Sequence, residues 1–387
     1  MHDVVICGGG LAGLTLAIQL RRRLPSANIV VIERQRRPLP EACHKVGESS
    51  VEIGACYFER LLGRDYFAQR QLRKNGLRFF SGPPASPIEE RIELGPSERP
   101  VVPSFQLDRG RFENDLREVV EREGAELREG WGVRDVELAQ DGEPHRVAVV
   151  DPEGREHTLE ARWVIDALSR RRLIAKKLGL HREIEEQASS SWFRVAQKID
   201  VAELVSATQE RWHARDVEKS RWLSTVHLCG TGYWVWLIPL SSGMTSVGVV
   251  AESAVHDFRS FGKPESVREW LRRHEPRLAA RLEGVPFEDF IAMKDYRHDT
   301  TRVIGRERWA CAGEAGFFVD PLYSPGSDMI GTINSLATEL VADDLEGRFD
   351  PARADALDAW VRGFARLTFN TLVRSSCVFG KPDVTAA

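Results

Sequence analysis

MHDVVICGGGLAGLTLAIQLRRRLPSANIVVIERQRR, residues 1–37, reads as strand, glycine turn, helix, strand and acidic residue. His2 to Cys7 is a short apolar run of the kind that fits a strand buried on both faces. Gly8, Gly10 and Gly13 give G-x-G-x-x-G. Leu11 to Leu20 then repeats apolar residues at helical spacing, and Arg21 to Arg23 place positive charge where a helix C-terminus favours it. Asn28 to Ile32 is a second apolar strand with Glu33 at its end.

Each part has a task in holding a dinucleotide. The first glycine makes the tight turn, the second lets the backbone approach a pyrophosphate, and the third lets helix and strand pack closely. Free N–H groups at the helix start, around Leu11 and Ala12, face the phosphates. Glu33, 20 residues beyond Gly13, accepts from ribose hydroxyls, with Arg34 beside it. A lone glycine pattern is a flexible turn as often as a site, but here the flanking elements fall where the mechanism needs them. The stretch predicts binding of FAD or NAD(P).

At 387 residues with 42% hydrophobic content, the chain is long enough for two domains sharing a cofactor. A net charge of −4 leaves no electrostatic footprint for nucleic acid. No segment reaches the length of a membrane span, and the N-terminus is itself the first strand, so a cytoplasmic protein is expected. The six cysteines (7, 43, 56, 229, 311 and 377) form no C-x-x-C pair or metal-like cluster; they read as reduced, mostly buried thiols, with no metal site.

Further along, Arg34 to Cys43 is a polar loop, and His44 to Ser50 leads into a helix over Val51 to Leu62 that Ser49 or Ser50 is placed to cap. Gln71 to Phe80 reads as a short strand carrying Lys74, a residue type that is ordinarily a solvated charge. Asp108 is placed to cap a helix over Arg109 to Gly124. Several strands follow from Ala125 to Ala167, the last ending in Asp166. Alternation dominates residues 188 to 251 (SWFRVAQKI, WLSTVHLCG, YWVWLIPL, MTSVGVVAE) and predicts an antiparallel sheet with one apolar face. Pro264 to Leu282 is helical. Arg308 to Gly313 returns to a strand that rejoins the first sheet, and helices follow near Asp328 to Leu345 and over Pro351 to Val373.

The predicted fold is α/β, a Rossmann-like nucleotide domain interleaved with an antiparallel substrate-domain sheet. The nucleotide domain takes residues 1–80, 104–185 and 300–345, and the substrate sheet takes 81–103 and 186–299. Residues 346–387 form a C-terminal helical segment. A nicotinamide dehydrogenase more usually keeps its nucleotide domain contiguous, so the interleaving favours FAD.

Nearly all of residues 1 to about 345 resembles the FAD-dependent aromatic monooxygenases and, among them, the flavin-dependent halogenases. GGGLAGLTLA with Glu33 looks like the adenosine and pyrophosphate site. Arg162 to Arg170, RWVIDALSR, is similar to the family strand ending in Asp-Ala-Ser-Gly-Arg, with Leu168-Ser169 in place of Ser-Gly. CAGEAGFFVDP is similar to the Gly-Asp motif on the flavin ribityl chain, with Gly313 followed by Glu314 in place of aspartate. Gly47, Glu48, Ser49 and Arg109 are implied on the flavin side. Three features lean toward halogenases: W-x-W-x-I-P at Trp234, Trp236 and Pro239, which would wall the flavin from the substrate; VGESS at Val46 to Ser50; and Lys74, where those enzymes carry the lysine that handles hypohalous acid.

The resemblance implies reduced FAD meeting dioxygen to form a flavin C4a-hydroperoxide. Chloride or bromide would be oxidised there, and Lys74 would pass the halogen to an aromatic carbon, with Ser324 positioning halide or substrate. Tyr323 stands where tryptophan halogenases carry glutamate, which fits a phenol- or pyrrole-type substrate better than tryptophan. The halide is expected on backbone N–H groups after Ser324, of which Gly326 and Ser327 supply donors and Pro325 cannot. With no second G-x-G-x-x-G, a separate flavin reductase is expected. Relatives commonly continue with further helices that roof the pocket; either an open site, a carrier-protein-bound substrate or a shortened chain follows. An aromatic hydroxylase, with Lys74 incidental, and a geranylgeranyl-reductase-like flavin reductase remain the alternatives.

Overall fold

A computed structural model describes residues 1–42, 45–140, 142–216, 218–373 and 378–381. Cys43, His44, Cys377 and most of the last residues, 382–387, about which expectations were stated above, lie outside the described residues. Cys7, Cys229 and Cys311 are free and buried, whereas Cys56 is free and exposed. Among the described residues no helix is long and apolar enough to cross a membrane.

The first sheet has a parallel core in the order Trp309–Cys311, Glu156–Asp166, His2–Cys7, Ile29–Glu33 and Glu126–Glu129. A short antiparallel strand, Ile304–Gly305, edges one side, and the strands Gly132–Glu137 and His145–Val150 pair off Glu156–Asp166. Val4, Val5, Ile6, Val30 and Val31 are fully buried, as a strand covered on both faces requires. The helices Leu11–Arg23, Arg109–Arg122 and Gly326–Leu345 supply much of that cover.

The second sheet runs Ile291–Met293, Ala188–Val195, Thr245–Glu252, Tyr233–Pro239, Thr225–Gly230, Leu77–Ser81 and Ile92–Leu94. Its expected antiparallel pairing is interrupted once, where Thr225–Gly230 meets Leu77–Ser81 in parallel. Residues 77–80, expected in the nucleotide domain, therefore hydrogen-bond into the other sheet. Alternation divides its strands cleanly. Val226, Leu228, Val235, Leu237, Val247 and Val249 pack with Trp270 and Leu271 of the Pro264–His274 helix. The opposite face carries Thr225, His227, Trp234 and Trp236 toward the first sheet and its helices.

Three local expectations change. The Gln71 to Phe80 strand is broken into Leu72–Arg73 and Leu77–Ser81, because Gly76 takes a positive φ of 65° between them. Lys74 thus lies in a turn. Neither Ser49 nor Ser50 caps the helix Glu52–Leu62; its N-cap is Val51, and Ser50 bonds both backbone groups of Phe105 instead. Asp108 stands at the N-cap of the Arg109–Arg122 helix as expected and accepts from the Phe112 N–H through its carbonyl, but its carboxylate makes no cap bond and accepts from the Ser242 N–H instead.

Candidate active site: two clefts and the lysine between them

The glycine turn is shaped by contact. A Cβ on Gly8, whose φ is 111°, would lie 2.4 Å from the Ala167 carbonyl oxygen, and one on Gly13 would lie 2.0 Å from that of Gly8. Gly10 has nothing within 4 Å of its added Cβ, so the start of the Leu11–Arg23 helix is bare backbone open to a ligand. Glu33 holds the turn from behind: its oxygens accept from the N–H of Gly9 (2.8 Å) and of Gln35 (2.7 Å). Arg34 beside it is exposed. The turn at Gly313, with a positive φ of 58°, packs against the Ala12 side chain.

From Leu11 a cleft of about 960 Å³ runs to the start of the Gly326–Leu345 helix. Gly47, Glu48, Ser49, Arg109, Gly313, Glu314, Ser324, Gly326 and Ser327 all line it, as do Trp234 and Trp236. Its charged groups are mostly paired. Glu48, 2% exposed, is bonded by Arg194, which also binds Asp289. Arg109 binds Glu113 and donates to the Val46 carbonyl at 2.5 Å, clamping the loop. Ser169 donates to Glu314 at 2.6 Å. The Trp236 indole lies over Gly248, where a Cβ would come within 2.1 Å of the ring, and donates to Ser246.

The glycine turn, Glu33 and Arg34 lie beyond the Leu11 end of this cleft, and Asp166 and Pro239 do not line it either. The carboxylate of Asp166 is buried under the Leu168 and Ile174 N–H groups, which it binds at 3.0 and 2.9 Å, and does not line the cleft. It shapes the turn at the strand end. Pro239 is also absent from the lining, because the alternation that brings Trp234, Trp236 and Ile238 to the cleft turns residue 239 away.

Lys74 is 2% exposed, against the ordinary expectation for a lysine. Its ammonium donates to Ser49 Oγ (2.8 Å) and to the Ser50 carbonyl (2.9 Å), and Ser49 Oγ in turn bonds Thr225. Burial drives its pKa down to about 7, opposed by the negative charges of Glu52 and Asp328. On the side of Lys74 away from the tryptophans is a second cleft, of about 1260 Å³, that the sequence did not disclose. It lies between the Glu52–Leu62 helix, the Pro96 to Ser104 loop and the Pro351–Val373 helix. Pro325 and Met329 border both clefts. The two tryptophans line the first cleft only, and the partition is made by Pro325 and Met329 with the hydrogen-bonded pair Lys74 and Ser49.

Three more residues escaped the sequence reading. Asp328 and Glu52 line the second cleft beside Lys74. His227 lines the first, stacked on Phe79 at 4.5 Å, and burial together with the Lys74 charge drives its pKa down to about 3, so the ring is neutral. Tyr323 and Ser324 are consecutive non-glycine residues at positive φ (61° and 56°), a strained pair at the mouth of the partition. Helical spacing and strand alternation hint at Asp328 and His227, but no short motif contains them.

The first cleft suits a flavin dinucleotide: a cradle too tight for side chains at Gly8 and Gly13, open backbone at Gly10, and a buried Ser327 hydroxyl without a partner at the far end. Comparison with known proteins agrees. The flavin-dependent halogenase chlA of Dictyostelium discoideum is 26% identical over 391 residues, covering 93% of this chain and 64% of that protein. The chain thus spans just under two thirds of that relative. A 1H-pyrrole-2-carbonyl-[peptidyl-carrier protein] chlorinase of Pseudomonas fluorescens is 29% identical, covering 84% of this chain and 72% of its own length. The fold is that of halogenase PltM in complex with phloroglucinol and FAD, with a TM-score of 0.83 at 18% identity, covering 99% of this chain and 78% of that one. The family profile described as FAD binding domain matches residues 1–315, and the chain belongs to that family.

Proposed function

We propose that the chain is a flavin-dependent halogenase acting on an electron-rich aromatic ring of the phenol or pyrrole type. The observation that carries this reading is the buried Lys74 ammonium set between two clefts, one suited to a flavin and one walled largely by apolar side chains. The names of the relatives, two of them halogenases of pyrrole rings on a carrier protein, support it. Bound FAD, reduced by a separate flavin reductase, supplies with dioxygen the two-electron oxidising power that turns chloride or bromide into hypohalous acid.

The chain's own groups divide the remaining work. Gly8, Gly10 and Gly13 admit the pyrophosphate and Glu33 the ribose, while Gly47, Arg109, Gly313 and Glu314 hold the flavin end. Trp234, Trp236 and neutral His227 keep the first cleft dry and carry no charge that would compete for halide. The N–H groups of Gly326 and Ser327, with the Ser327 hydroxyl, offer donors to the halide, and Ser324 orients the approach. Lys74 meets the hypohalous acid at the partition and, having two of its three donors already engaged, presents the third to it. The aromatic substrate waits in the second cleft.

The test is turnover with FAD, a separate reductase, NADH and oxygen on 1,3,5-trihydroxybenzene, with chloride, bromide or no halide. The expected product carries halogen, by mass, and forms only when halide is present. A hydroxylated product independent of halide overturns the reading.

A further inference from the structure

Asp328 has no part in the scheme above, yet its placement is specific. It lies in the first turn of the Gly326–Leu345 helix, is 9% exposed, and faces the second cleft. One oxygen accepts from the Gly54 N–H at 2.7 Å. Close helix packing fixes that bond: a Cβ on Gly54 would strike Ser327 Oγ at 2.3 Å. Among the described residues no donor reaches the other oxygen. A carboxylate nine-tenths buried, held by one oxygen and aimed into a cavity with the other, is an acceptor waiting for a donor.

Around it the second cleft is apolar, with Leu77, Pro96, Pro100, Phe364, Leu367 and Met329 forming much of the wall. Such walls hold a ring but do not orient it. The polar groups that can are Lys74, Asp328, the exposed Glu52, and the hydroxyls of Ser104, Tyr323, Thr368 and Thr371; of these Asp328 is the buried carboxylate.

Building on the halogenase reading, we propose that Asp328 selects and orients the substrate: its free carboxylate oxygen accepts a hydrogen bond from a hydroxyl on the aromatic ring, so the cleft takes hydroxyarenes in preference to aryl ethers or ring carboxylates. A carboxylate can only accept. A ring hydroxyl satisfies it, an ether leaves it desolvated and unpaired, and an anionic substituent is repelled by it and by Glu52. The same bond pushes electron density into the ring and turns one face toward Lys74. Burial and Glu52 raise the Asp328 pKa to about 6, while the Gly54 N–H and Lys74 hold it down, so the acceptor is ionised at neutral pH.

The experiment is equilibrium binding to the FAD-loaded protein without halide or reductant, comparing 1,3-dihydroxybenzene with its dimethyl ether by calorimetry. The expected result is a preference for the diol of about tenfold or more, the scale of a hydrogen bond to a charged group. Asp328→Asn, whose amide oxygen would stay on the Gly54 N–H and so turn its NH2 donor to the cleft, is expected to reduce the preference to about twofold or less, and Asp328→Glu to restore part of it. Equal affinity of wild type for the two ligands, including no binding of either, overturns the proposal even if neither variant folds. Because no oxidation is measured, the two readings fail separately. A protein that halogenates phenols yet binds diol and ether alike refutes only the role of Asp328, whereas one that shows the preference but never halogenates refutes only the reaction.

Discussion

The two clefts on either side of Lys74 treat charge in opposite ways. In the flavin-side cleft the buried charges are neutralised in place: Glu48 and Asp289 share Arg194, and Arg109 binds Glu113. In the other, Lys74 and Asp328 are each nine-tenths or more buried, with neutral hydrogen-bond partners and, among the described residues, no direct ion pair. Paired buried charges fix geometry at little net cost, whereas an unpaired one is a standing expense that a fold retains where chemistry uses it. The first cleft keeps its buried charges paired, and the second leaves a lysine and a carboxylate with neutral partners.

Lys74→Met breaks that contrast most sharply. It removes the buried charge to which the proposed reaction gives the central role and touches none of the groups that line the glycine turn. Halogenation is expected to fall by about 10⁴-fold, the upper range for losing a positioned proton-handling group. FAD affinity, followed by flavin fluorescence, is expected to change by about twofold or less. A variant that keeps its activity, or loses its flavin, would erase the distinction between the clefts.

Arg194→Met attacks the paired side. It removes the guanidinium that Glu48 and Asp289 share, and breaking a buried pair from one partner costs about 3–5 kcal/mol. The loss is expected in the urea midpoint of unfolding, with the substrate preference of the surviving folded protein unaltered. Gly248→Ala probes the same wall through packing. Its methyl would meet the Trp236 ring at 2.1 Å, and relief requires the indole or the strand to move. A loss of about 3 kcal/mol is expected, at the upper end of overpacking.

The paired cleft was largely legible in the sequence, and the unpaired one was not. Gly8 to Gly13, Glu33 and the apolar strands sit within one contiguous stretch, so spacing alone encodes their geometry. Strand alternation likewise places Trp234 and Trp236 on one face, although the same rule, carried three residues further, turns Pro239 away. Asp166 looked like a ligand because it ends a strand beneath the cofactor; only the fold shows that the turn at Leu168 to Ile174 occupies its carboxylate. Lys74 lies in a polar turn, Arg73-Lys74-Asn75-Gly76, whose composition signals exposure. Its burial comes from Ser49 and Ser50 before it and from Pro325 and Asp328 some 250 residues later, juxtapositions that no local pattern carries. The second cleft is assembled from five separate segments of the sequence, one of them the Pro351–Val373 helix.

The smallest expected effect isolates the cost of keeping Lys74 unpaired. Its pKa falls from an ordinary 10.5 to about 7 on folding, chiefly by burial. Between those values the unfolded chain holds a proton that the folded chain has released, so this group makes stability rise with pH; below about 7 both states are protonated and the penalty is constant. Lys74→Met removes that dependence and leaves every other titrating group in place. In paired urea unfoldings the variant is expected to exceed wild type in stability at pH 7, with the gap narrowing by about 2 kcal/mol by pH 9. A gap that stays constant would mean the folded lysine keeps an ordinary pKa, and that it is compensated in the way the charges of the flavin-side cleft are.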